Sequence, residues 1–450
     1  MPGGYVPPHL KRREACKTSN APAPSSSRSS SSHAPSTAHA ATLEEFVQTI
    51  ARAEKVLSKS KRAEALILYE EAVNGLRKLV ITHAGDEARS ALADALLQFA
   101  RETVLTARAL PLSETSRGDS RTATERALAL CEEAFTLYGH NTEDQLERAS
   151  GMATSLSSIA EYAGDARGFA FSRDFSFKAV KEFDTVVKLL ESKPHAQADM
   201  LPALWNAADA RLKFAENAIE LGDDKNAKVC FEEMLQLYER ACGYADASQG
   251  DDLGGLLYDW GCSVTSFAQF MLNLGAYEDA IRTINIAIEK LTTARSFSVG
   301  ALEPLNAIGD AYQTKAEICR ARGDDNEAAE CFYAAMSEGF DSALKTNALN
   351  LDAQIGVGEA CMELGRLSFG QRDYAGAQRL FERAWSSYQK AIANTTGDPG
   401  SCEERFSVVY NAACAAKRAG FDDDAERLVS MLIVCNGTTR EAIDNDVDWQ

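Results

Sequence analysis

Side chains equipped for chemistry are sparse in this chain of 450 residues, and they stand apart. The six histidines, His9, His33, His39, His83, His140 and His195, fall in a polar N-terminal stretch or in expected turns, and none has a cysteine or carboxylate at metal-ligand spacing. Eleven cysteines occur, none as Cys-x-x-Cys, and most sit singly inside helical patterns, as Cys319 and Cys331 do. They read as small buried thiols in a reducing compartment, and two sequons, at Asn394 and Asn436, then carry no weight. Gly356-Val-Gly358-Glu-Ala-Cys361 begins like a phosphate-binding loop, but it lacks a third glycine and no strand pattern precedes it, so helix packing accounts for it better. Gly-x-Ser-x-Gly, Walker and His-Glu-x-x-His patterns are absent. The expectation is a non-enzymatic chain with no catalytic residue, cofactor or metal.

Charge bounds the partners. Residues 1–42 carry Lys11, Arg12, Arg13, Lys17 and Arg28 against Glu14, a net of +4, so the total of −19 leaves −23 for the rest. Such a body repels phosphate backbones and favours basic protein segments over nucleic acid. No run of about 18 apolar residues occurs, so no membrane span is expected.

The elements that must position any site come from one recurring pattern: a small alanine, a large apolar residue four later, and an apolar residue three after that. It appears as Ala65-Tyr69-Ala72, Ala127-Cys131-Ala134, Ala179-Phe183-Val186, Ala227-Phe231-Met234, Ala280-Ile284-Ala287, Ala328-Phe332-Ala335, Ala377-Phe381-Ala384 and Ala425-Val429-Leu432. The spacing places each triplet on one helical stripe. Gly222, Gly275, Gly323 and Gly420 lie five residues before a marker alanine, as helix-ending C-caps. Twelve residues before the marker stands a small residue, Ala53, Ala215, Ala268, Ala316, Gly365 or Ala413, which lets a preceding helix approach closely.

These positions resemble the tetratricopeptide repeat, best in Leu364-Gly365-x-x-x-Phe-x-x-x-Asp373-Tyr374-x-x-Ala377-x-x-x-Phe381-x-x-Ala384. The resemblance implies an all-α fold, a right-handed α-solenoid of about eight helical hairpins over residues 43–450, with the best match over 355–435 and a last hairpin and cap over 401–450. The markers recur every 48 to 62 residues, against roughly 34 in the standard repeat. Helices on the order of 20 residues are therefore expected, with extra length in loops at 111–121 and 243–255, and with hairpins two and three losing the first-helix match to inserted loops. The end of the chain, through Asp444-Asn445-Asp446-Val447-Asp448, reads as a polar cap.

In such arrays first helices line a concave groove. Transferring that frame selects Asp209, Leu212 and Glu216; Gln269; Asp310, Gln313 and Glu317; and Glu359, Met362 and Arg366, a mainly acidic set suited to a basic or mixed peptide. The carboxylate clamp of chaperone-binding members is disfavoured, because Ile50 and Glu54 stand where it would need Lys and Asn.

Residues 1–42 form a separate, Ser-rich basic tail expected to be disordered. Its Tyr5-Val6-Pro7-Pro8-His9-Leu10 resembles the N-terminal motif of Ded1-type DEAD-box RNA helicases, which implies an eIF4E-like translation factor as partner, with Tyr5 and Leu10 as anchors; Lys11 stands where that motif carries a hydrophobic residue. Two readings stay open. The chain is a cytoplasmic adaptor displaying this motif, or the tail is a cleaved transit peptide of a chloroplast assembly factor.

Overall fold

The computed structural model describes residues 37–57, 61–82, 85–109, 114–139, 144–193, 197–245, 250–297, 301–394, 403–434, 440–444 and 449. Every regular element among them is helical, and the helices pack as two compact units, hairpins one to four and hairpins five to eight. In the first unit the pairs are α1 (Thr37–Leu57) with α2 (Arg62–Thr82), α3 (Asp86–Ala109) with α4 (Glu114–Gly139), α5 (Gln145–Arg167) with α6 (Phe169–Glu191), and α7 (Gln197–Glu220) with α8 (Asp224–Cys242). The second unit pairs α9 (Gly250–Asn273) with α10 (Tyr277–Phe297), and α11 (Leu302–Arg322) with α12 (Asp325–Ala334), which a π-helical turn (Ala335–Phe340) joins to α13 (Asp341–Thr346). It continues with α14 (Leu351–Gly370) and α15 (Tyr374–Asn394), α16 (Glu403–Arg418) and α17 (Asp422–Val434), and a short α18 (Arg440–Asp444).

The marker triplets are the core of each second helix. All eight alanines are at most 1% exposed, and their companions at +4 and +7 are at most 5%. Burial of side chains such as Phe231, Met234 and Phe332 contributes about 2–3 kcal/mol each.

Five hairpin turns close alike. The residue just before the second helix donates its amide five residues back: Asp223 to Ala218 O at 2.8 Å, and Ala276, Asp324, Asp373 and Phe421 to Met271, Cys319, Ser368 and Ala416 O at 2.9 Å. The residue ahead of each donor is left-handed, at Gly222 (φ 71°), Gly275 (73°), Gly323 (91°) and Gly420 (80°), as the glycine spacing anticipates. Hairpin seven places Arg372 there, at φ 65°. A side chain in this region costs about 1–2 kcal/mol, part of which glycine returns through its larger unfolded-state entropy. Arg372→Gly should therefore stabilise the protein by about 0.5–1 kcal/mol, read as a rise in thermal midpoint by circular dichroism.

A second register operates eleven residues after the marker. There Tyr138, Leu291 and Tyr388 press on first-helix glycines Gly151, Gly261 and Gly358, where a Cβ would come within 2.2, 2.5 and 2.7 Å of them. In hairpin six that position is Gly339, whose backbone touches Gly309, and the π turn brings Phe340 into the seat instead. Phe340 is fully buried, and a Cβ on Gly309 or Gly356 would lie 2.5 or 2.4 Å from its ring. Gly356 and Gly358 are packing glycines on α14, in line with the sequence reading.

Hairpins three and four are also tied by charge. Arg211 of α7, its side chain 9% exposed, reaches Asp184 of α6 at 2.7 Å and Glu233 of α8 at 2.8 Å.

Several expectations are corrected. The loops expected at 111–121 and 243–255 run into helix earlier than anticipated, because α4 starts at Glu114 and α9 at Gly250. Hairpins two and three absorb their extra length as longer second helices; in α6 the apolar spacing of Phe171, Phe175, Ala179 and Phe183 continues the stripe backwards. The first helix starts at Thr37, ahead of the boundary at 43, and the last hairpin is shorter than expected, with helices of 16 and 13 residues. The side chains of the expected polar cap, residues 444–448, lie outside the described residues; beside them Ile443 and Trp449 join the core, with Lys417 and Arg440 each 5.7 Å over the Trp449 ring.

Candidate peptide-binding face on the first helices

Tyr5 and Leu10 lie outside the described residues, as do His83, His140 and His195. The ten first-helix candidates are described, and they divide between the two units.

On α7, Leu212 is buried at 5% exposure and Asp209 is half-buried, accepting a 2.7 Å hydrogen bond from the Tyr238 hydroxyl. Glu216 lies 3.9 Å from Lys213 one turn earlier. In the other unit, Gln269 of α9 is buried and points its amide at Asn273 Oδ1, 3.4 Å away. Gln313 of α11 donates to the Gly356 carbonyl of α14 at 3.2 Å, and Met362 is buried. Much of the predicted set is thus used inside the fold: Asp209 and Gln313 fasten adjacent helices, while Leu212 in the first unit and Gln269 and Met362 in the second are buried.

The chemistry concentrates where α11 meets α14. Glu317 is partly exposed as a residue, but its carboxyl group is enclosed, and burial, then the like charges of Glu363 and Glu359, push its pKa up to about 8 against a pull from Arg320. Glu363 is held from both sides by Arg320 and Arg366. Three carboxyl groups therefore share two guanidinium groups, both engaged by Glu363, and Glu317 keeps its proton at neutral pH. The sign follows for stability: the folded chain holds a proton that the unfolded chain releases, so stability falls as pH rises between the ordinary 4.5 and about 8.

The groove frame missed Glu363 and Arg320. Glu363 lies four residues after Glu359 and three before Arg366, the spacing that puts all three on one helical face, and that was the available signal. At the disfavoured clamp positions, Ile50 is half-buried and Glu54 accepts from Gln98 Nε2 at 3.4 Å.

Away from this face, a cleft of about 240 Å³ opens between α2 and α4 over Phe99 of α3. Two ion pairs bridge it, Arg77 to Glu133 at 2.6 Å and Arg126 to Glu70 at 2.8 Å. The described cysteines are free thiols, all buried or half-buried; burial raises Cys230 to about 11 and Cys319 and Cys361 to about 12, which keeps them protonated and poor nucleophiles. No described helix is long and apolar enough to cross a membrane.

No family model and no curated protein matches the chain. Among solved structures, it is similar to the S. pombe nuclear import adaptor Nro1, with 13% identity over 72% of this chain and 98% of that one and a TM-score of 0.43. It is also similar to a tetratricopeptide repeat protein from Parabacteroides merdae (12% identity, 87% and 99% covered, TM-score 0.40) and to the apo form of RapI (11% identity, 78% and 99% covered, TM-score 0.40). At these values the likeness carries no argument about function. The marker stripes, left-handed turns and hairpin order in the chain itself make it an all-α, tetratricopeptide-like helical repeat.

Proposed function

We propose that this protein is a non-enzymatic interaction scaffold whose α11–α14 face takes a basic or mixed peptide from a protein partner. The observation that supports it is the carboxyl group of Glu317, enclosed beside Glu359 and Glu363 at a first-helix position. An incoming Lys or Arg side chain favours the ionised form of Glu317, so binding releases a proton. Affinity for a fluorescein-labelled Lys/Leu peptide should then rise from pH 6 to pH 9, and Glu317→Gln should flatten that rise and weaken binding roughly tenfold at the upper end. A pH-independent affinity, or equal binding by Glu317→Gln, would overturn the assignment.

For the tail, the reading carried by Tyr5 and Leu10 is contact with an eIF4E-like factor in the cytoplasm; the other is a transit peptide of a chloroplast assembly factor. The intact mass of the protein from its own cells separates them, since only the first keeps residues 1–42.

A further inference from the structure

Six of the eight hairpins begin the second helix three residues before the marker alanine, whereas α6 begins ten before it, at Phe169. The added residues 169–175 hold Phe169, Phe171 and Phe175, and Phe177 and Lys178 follow directly in the part of the helix that all hairpins share. Phe171 and Phe175 turn inward, their ring centroids 4.8 Å apart, and pack on the core. Phe169 and Phe177 stay 46% exposed, which packing within the hairpin does not require.

Cations cover this face. The Lys178 ammonium sits 4.6 Å over the Phe175 ring and that of Lys181 4.2 Å over Phe177. Neither these two nor Lys188, exposed two turns further along the stripe of Phe177 and Lys181, makes an ion pair among the described residues. The helix as a whole is neutral, four basic against four acidic residues, but Asp184 and Glu191 are taken by Arg211 and Arg240, which leaves these three lysines beside an exposed phenylalanine as a basic stripe on a chain of net charge −19.

We propose that this face of α6 docks a short acidic segment of a protein partner, with carboxylates meeting Lys178, Lys181 and Lys188 and an apolar side chain covering Phe177. The rings hold Lys178 and Lys181 in place before binding, which lowers the entropy lost on docking. The acidic remainder of the surface repels such a segment, so the patch supplies selectivity as well as contact. Phosphate backbones fit less well: Asp174 and Glu182 interrupt the basic stripe, and the net charge opposes a polyanion. This surface lies on a second helix and takes the opposite charge from the α11–α14 face, so it stands independently of that reading.

The test uses the full chain and a fluorescein-labelled peptide alternating Glu or Asp with Leu and Phe, followed by anisotropy at low ionic strength. Saturable binding is expected, weakened roughly tenfold or more by Lys178→Glu with Lys181→Glu, weakened by Phe177→Ser, and unchanged by Glu317→Gln. The side chains substituted on α6 are exposed, so an unchanged thermal midpoint verifies that those variants are folded, and helical content by circular dichroism does so for Glu317→Gln. Absence of binding, equal binding by the charge-reversed variant, or binding of an oligo-dT strand in place of the peptide would each overturn the proposal.

Discussion

Arg211→Ala should destabilise the protein by about 3 kcal/mol, seen as a lowered urea midpoint without loss of helical content below the transition. Its guanidinium is buried between Asp184 and Glu233, and it also donates to the Ala207 carbonyl at 3.3 Å. Truncation removes these bonds and the packing of the side-chain stem. The two carboxylates left behind are 37% and 47% exposed and regain water, which holds the loss to the lower end of the range for broken buried pairs. The reverse experiment is harsher. Asp184→Ala with Glu233→Ala strands the buried cation and should cost about 4–5 kcal/mol. An Arg211→Ala variant as stable as the parent would show that the network is a surface decoration.

Gly339→Ala should cost about 2 kcal/mol, the net of about 3 kcal/mol of overpacking and about 1 kcal/mol gained in helix propensity. The added Cβ would lie 2.5 Å from Gly309 Cα and N and 3.0 Å from the Leu305 carbonyl, all backbone atoms that no rotamer change can move. The two helices of hairpin six must part. Gly370→Ala, at the end of α14 and with nothing within 4 Å of its Cβ, is the helical control, and chemical denaturation of both variants reads the difference.

The stripe of marker residues was legible because burial repeats with helical period: each alanine, its +4 and its +7 partner are in the core. Left-handed turns were legible where glycine marks them, and Arg372 was invisible because its residue type gives no sign of its conformation. The added helix before Ala127 was hidden by composition, since Ser-Glu-Thr-Ser-Arg-Gly-Asp-Ser reads as loop. The candidate face was legible only as positions. Gln313 bonding to the Gly356 carbonyl and Arg320 reaching Glu363 are contacts between neighbouring repeats, which a single-repeat frame cannot supply, whereas the Glu363–Arg366 pair within α14 was open to reading from its spacing.

The π turn of hairpin six also bears on how the repeat would hold its phase against a change of length. From α9 to α17 the marker alanines are 48, 49 and 48 residues apart, and the second helix of hairpin six, 325–346, is one residue longer than those at 277–297 and 374–394. A single-codon insertion in an ancestral repeat would ordinarily rotate everything beyond it by about 100° and turn the buried face outward. Here the surplus residue is confined to one widened turn, Phe340 occupies the seat that Tyr388 and Leu291 occupy at +11, and the following hairpins keep their phase. The repeat thus accommodates one residue more in a single widened turn, with glycine at position 339, where a side chain would meet the Gly309 backbone.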